Sequence, residues 1–80
     1  MKRRDTVDVS ADILRIAQHG VIKTRIVYGA NLNFKIVKNY FTQLTNLGLL
    51  EKRGRHYSTT EKGLVFLQRY GALSEFWLPS

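Results

Sequence analysis

Lys35, Lys38, Asn39 and Thr42 form a series of side chains rich in hydrogen-bond donors, and their spacing gathers them on one side of a helix wound at about 100° per residue, with Asn33 placed to cap its start. Asn46 and Gln43 extend that face, and no carboxylate interrupts it. Amide and cationic side chains are the types that pair with the edges of adenine and guanine in a major groove. A second group, Lys52, Arg53, Arg55 and His56, surrounds Gly54, where charged fingers at a tight turn can lie along a phosphate backbone. Lys23 and Thr24 form a third group suited to phosphate. Seven cations and one acid, Glu51, lie between Val21 and His56, so this stretch holds six of the seven net positive charges. A charge excess concentrated on one substructure points to a polyanion.

Other chemistries find little support. The chain has no cysteine, which excludes disulfides and thiolate metal sites, and His19 and His56 lie far from any metal-ligand spacing. No set of nucleophile, base and orienting acid can be assembled, and no glycine loop for phosphates is present. The expectation is no enzyme, no cofactor and no metal. The basic start is followed by Asp5, Asp8 and Asp12 instead of an apolar run, so neither a signal peptide nor a membrane span is expected. Eighty residues fit one domain of modest stability, in which about 60% of the unfolded surface is buried.

The elements that must position these groups follow from apolar periodicity. Val9, Ile13 and Ile16, with Leu14 and Ala17, predict a first helix over 6–19, capped by Asp8 or Thr6 and ended by Gly20. A short second helix over 22–29 carries Ile22 and Ile26 one turn apart, with Gly29 suited to the turn that ends it. Asn33 caps a third helix over 33–47, whose apolar stripe is Val37, Tyr40, Phe41, Leu44 and Leu47, and Gly48 closes it. A hairpin occupies 49–59. Thr60 caps a fourth helix over 60–73, with Leu64 and Leu67 as its core stripe and Phe66, Tyr70, Leu73 and Trp77 as a second stripe. Gly71 is a candidate stop for that helix, and Pro79 ends any continuation. The chain then divides into a basic arm at 1–5, a domain at 6–74 and an apolar tail at 75–80. The fold class is mainly α with a small β-hairpin, α+β.

The string KTRIVYGANL at residues 23–32, with Tyr40, Leu44, the Leu47, Gly48, Leu49 ending, and Tyr57, Thr60, Lys62 and Gly63, resembles a family of small archaeal winged helix-turn-helix DNA-binding proteins. That family includes crenarchaeal chromatin proteins and transcriptional regulators. The resemblance covers about residues 9–70. It implies double-stranded DNA as partner, the third helix in the major groove and the hairpin as a wing. Its chromatin members dimerise through a long C-terminal coiled coil; with Gly71 and Pro79 in the way such a coiled coil is not expected here, and any homodimer is expected to use Phe66, Tyr70, Leu73 and Trp77.

The resulting assignment places Asn33, Lys35, Lys38, Asn39 and Thr42 near the bases, with Lys23, Thr24, Arg53, Arg55 and His56 on phosphate. A sequence-specific regulator is the leading expectation, with a sequence-tolerant chromatin protein or a protein-binding adaptor as alternatives. The expected location is cytoplasmic and nucleoid-associated.

Overall fold

The computed structural model describes the backbone of residues 5–77 and the side chains of residues 5–73. In chain order the elements are α1 (Thr6–Ile16), a single 3-10 turn (Ala17–His19), β1 (Val21–Ile22), α2 (Lys23–Gly29), α3 (Phe34–Asn46), β2 (Leu50–Arg53), β3 (His56–Thr59) and α4 (Glu61–Trp77). The expected α+β class holds, with four helices against a small antiparallel sheet. The Lys2, Arg3, Arg4 arm and residues 78–80 of the tail lie outside the described residues.

Asp5, one residue upstream of the expected caps, starts α1. Its carboxylate accepts from the Asp8 backbone N–H at 2.9 Å, while the Asp8 carboxylate accepts from the Asp5 N–H at 3.3 Å. Asp8 therefore closes a capping box from inside the first turn. The inner face of α1 is wider than the apolar stripe alone, because Ser10 and Ala11 are buried with Val9, Ile13, Leu14 and Ala17. Val9, Ile13, Leu14 and Ala17 meet Ile26, Val27, Ala30, Val37, Phe41, Leu44, Leu49 and Leu50 in one core. Full burial of a side chain such as Leu14 or Ile26 contributes roughly 1.5–3 kcal/mol.

The sheet contains a strand that periodicity did not reveal. β3 is central in the order β1-β3-β2, and Val21 and Ile22 pair with Tyr57 and His56. Two residues are too few to show alternation, so this strand exists only because the hairpin offers it an edge. The pairing also explains why the residues before α2 are apolar: Ile22 stands in the N-cap position with extended backbone and no side-chain cap. Gly29 lies inside α2 instead of in the turn after it. A Cβ there would meet the Ile16 δ carbon at 2.9 Å, and the positive φ of the following turn falls on Asn31.

Leu47, expected in the apolar stripe of α3, is the C-cap and is exposed. Val37, Phe41 and Leu44 are buried as expected. On α4, Phe66 and Leu67 pack on the core, whereas Leu64, expected there, is exposed. Gly63 sets that orientation: a Cβ would come within 2.3 Å of the Leu49 carbonyl oxygen, so α4 touches the base of the hairpin through bare backbone. Thr60 joins the two, donating to the Gly48 carbonyl at 2.6 Å and accepting from the Gly63 N–H at 3.1 Å. Gly71 does not stop α4, which runs on to Trp77. The Tyr70 hydroxyl donates to the Asp8 carboxylate and ties α4 to the start of α1.

Candidate nucleic-acid interface

The exposed side of α3 is built as the periodicity implies. With Val37, Phe41 and Leu44 inward, Lys35, Lys38, Asn39 and Thr42 are exposed. Two of the expected groups are partly engaged by the helix itself. The Asn33 side-chain oxygen accepts from the Ile36 N–H at 2.8 Å, which uses one of its two lone pairs and holds the side chain against the first turn. The Thr42 hydroxyl donates to the Lys38 carbonyl at 3.1 Å and keeps its acceptor capacity. Lys35, Lys38 and Asn39 are the unencumbered members of the set.

The hairpin stands beside this helix because Tyr57 of β3 packs against Phe41 of α3, with ring centroids 4.4 Å apart and an interplanar angle of 31°. Thr59 fixes its base by donating to the Leu14 carbonyl at 2.6 Å. Gly54 and Arg55 form a two-residue turn, with Gly54 at φ +60°, a geometry that follows the twist of the flanking strands. Arg53, Arg55 and His56 are all exposed. Arg53 is not a free cation, since its Nε lies 3.2 Å from the Glu51 carboxylate on the same face of β2. The register puts Lys52 opposite Tyr57 on the other face, the one turned toward α3, with its ammonium 5.8 Å from the Tyr57 ring centroid.

Thr24 and His56, remote in sequence, line one open concavity where β1, α2 and β3 meet, and Arg25 lines it too. The β1 pairing that places Ile22 opposite His56 brings them together. Lys23 is half-buried, with its ammonium 6.0 Å from the Phe34 ring centroid. Arg25, Tyr28 and Phe34 belong to this surface, although the sequence assigned them no place in the site, and Lys52, expected at the basic hairpin tip, belongs to it on the side turned toward α3. Two-residue pairing and ring contacts across loops have no periodic signature by which they could have been found. Among the candidate interface residues of the last helix, Leu73 is exposed, Phe66 and Tyr70 are half-buried, and the Trp77 side chain lies outside the described residues. Among the described residues no three His, Asp or Glu side chains group as a metal site, and no helix is long and apolar enough to cross a membrane.

The arrangement can be compared with known proteins. The chain is similar to Sso10a-2, a DNA-binding protein from Sulfolobus solfataricus, with a TM-score of 0.77 and 28% identity over 96% of this chain and 100% of that one. It is 31% identical over 68 residues to an uncharacterized protein of Methanocaldococcus jannaschii, and 36% identical over 62 residues to another from the same organism. These stretches take in 84% and 76% of this chain but only 32% and 64% of those relatives. A family model described as winged helix-turn-helix matches residues 3–77. With α2, α3 and a β2–β3 wing arranged as that description requires, the chain belongs to the winged helix-turn-helix family.

Proposed function

We propose that the chain binds double-stranded DNA as a small transcriptional regulator, with α3 in the major groove and the β2–β3 wing on the flanking backbone. The observation that carries this reading is an exposed face of α3 furnished with Lys35, Lys38 and Asn39, beside a wing of exposed cations, in a chain with no carboxylate between Asp12 and Glu51. The described similarity to a DNA-binding protein over nearly the whole chain supports it. Asn33, Lys35, Lys38, Asn39 and Thr42 lie nearest the bases in this arrangement. Lys23, Thr24, Arg53, Arg55 and His56 hold phosphate and fix register. Phe66 and Tyr70 of the second α4 stripe are held by their own domain, so the outer end of the stripe, from Leu73 on, joins two copies, and the protein resides with the nucleoid in the cytoplasm.

A sequence-tolerant chromatin role is the second reading. It is favoured by the engagement of Asn33 and Thr42 with the helix backbone, which leaves fewer groups to discriminate bases. Fluorescence anisotropy on a random duplex and on a duplex enriched by selection, at several salt concentrations, separates the two. A regulator prefers the selected duplex by about 10³-fold or more, and its random binding falls steeply with salt. Equal affinities mean the chromatin role, and no affinity for either overturns DNA binding.

A further inference from the structure

Two large aromatic side chains remain in solvent at the edge of the proposed interface. Tyr28, near the end of α2, is 74% exposed, and Phe34, the first residue of α3, is 48% exposed. Their rings meet edge to face with centroids 6.4 Å apart. The Lys23 ammonium lies over the Phe34 ring, 6.0 Å from its centroid. Neither ring fills the core, which is complete without them. Winding α3 at about 100° per residue places Phe34 about 40° from Lys38, about 80° from Thr42 and about 100° from Lys35, at the end of the helix that enters a groove first.

We propose that Phe34, braced by Tyr28, contacts the 5-methyl group of thymine in the major groove and so determines part of the sequence preference. This rests on the DNA-binding reading above. The ligand chemistry follows from the surroundings. An apolar edge flanked by Lys23, Lys35 and Lys38, with no carboxylate in the same stretch of chain, is matched by an apolar group carried on a polyanion. In the major groove that group is the thymine methyl. The edge-to-face contact with Tyr28 favours this orientation of the Phe34 ring, which lowers the cost of presenting its exposed edge to a ligand.

The test uses anisotropy with a 20-base-pair duplex of mixed A·T sequence and the same duplex with every thymine replaced by deoxyuridine, which differs only in the methyl groups. Wild type is expected to bind the thymine duplex roughly fourfold more tightly for each methyl contacted, the fold-change that corresponds to about 0.8 kcal/mol per buried carbon. Phe34→Ala is expected to bind the two duplexes alike, its ratio of affinities falling to one. Phe34→Leu is expected to restore part of the preference. Circular dichroism identifies any variant that fails to fold, and Tyr28→Ala, expected to reduce the preference without abolishing salt-dependent binding, then carries the test. Equal wild-type affinity for the two duplexes, or a preference that survives in Phe34→Ala, overturns the methyl contact while leaving DNA binding intact. No binding to either duplex overturns both readings.

Discussion

Asn33 and Asn39 present the same amide from the same helix, yet their environments assign them different work. Asn33 accepts the Ile36 N–H and satisfies one of the otherwise unpaired donors of the first turn. Asn33→Ala is therefore expected to lower folding stability by about 0.5–2 kcal/mol, read by thermal unfolding without DNA. Asn39 has an exposed side chain on the outward face. Asn39→Ala should leave unfolding unchanged and cost about 1–3 kcal/mol of affinity at a preferred site, with little change on random duplex. The wing permits a companion experiment. Arg53 shares its charge with Glu51, and an exposed pair of this kind contributes little to folding. Glu51→Gln should tighten binding to every duplex and steepen its salt dependence, while Arg55→Ala should flatten the logarithmic salt slope by about one unit. If the slope is unchanged in both variants, the wing does not touch the backbone.

The helices and the hairpin were legible because each has a period and a boundary signal. α3 shows this well, with Asn33 at its start, Val37, Phe41 and Leu44 at helical spacing, and Gly48 at φ +77° just beyond its end. β1 was not legible, because Val21 and Ile22 become a strand only through pairing with Tyr57 and His56. The outward-facing amides and cations could be read for the same reason as the apolar stripe. The Tyr28–Phe34 contact could not, since it depends on how the turn at Asn31 folds. On α4 Gly71 was misjudged as a candidate stop and the close packing at Gly63 had no sequence signal, and the two glycines make opposite predictions for one substitution. At Gly71 a Cβ meets nothing within 4 Å, so Gly71→Ala should stabilise α4 by about 0.5–1 kcal/mol through helix propensity. At Gly63 a Cβ would meet the Leu49 carbonyl oxygen at 2.3 Å and the Thr59 methyl at 2.5 Å. Gly63→Ala should destabilise by about 1–3 kcal/mol despite the same gain in propensity. Urea denaturation of the two variants should show midpoints moving in opposite directions; movement in the same direction would mean that α4 does not approach the hairpin as described.

At the scale of the whole molecule, α4 is divided between two demands. Its first turns are held by their own domain through Gly63, Phe66, Leu67 and the Tyr70 bond to Asp8. Beyond Tyr70 the helix continues to Trp77, and Leu73 is 55% exposed. A small domain with limited core gains from covering such an end with a second copy. We expect wild type to sediment as a dimer at tens of micromolar and Leu73→Glu to sediment as a folded monomer. Leu73 is the better site for this substitution, because Tyr70→Glu would also break the bond to Asp8 and confound assembly with folding. A dimer reads two half-sites, and the shorter dimensions of the domain, 26 and 19 Å, allow two copies to occupy successive major grooves about 34 Å apart on one side of a duplex. Moving two half-sites from one helical turn apart to one and a half turns should then abolish cooperative binding by wild type and leave the weaker binding of Leu73→Glu unchanged. A wild-type monomer at these concentrations removes the α4 interface, and each wing and α3 would then read a single half-site alone.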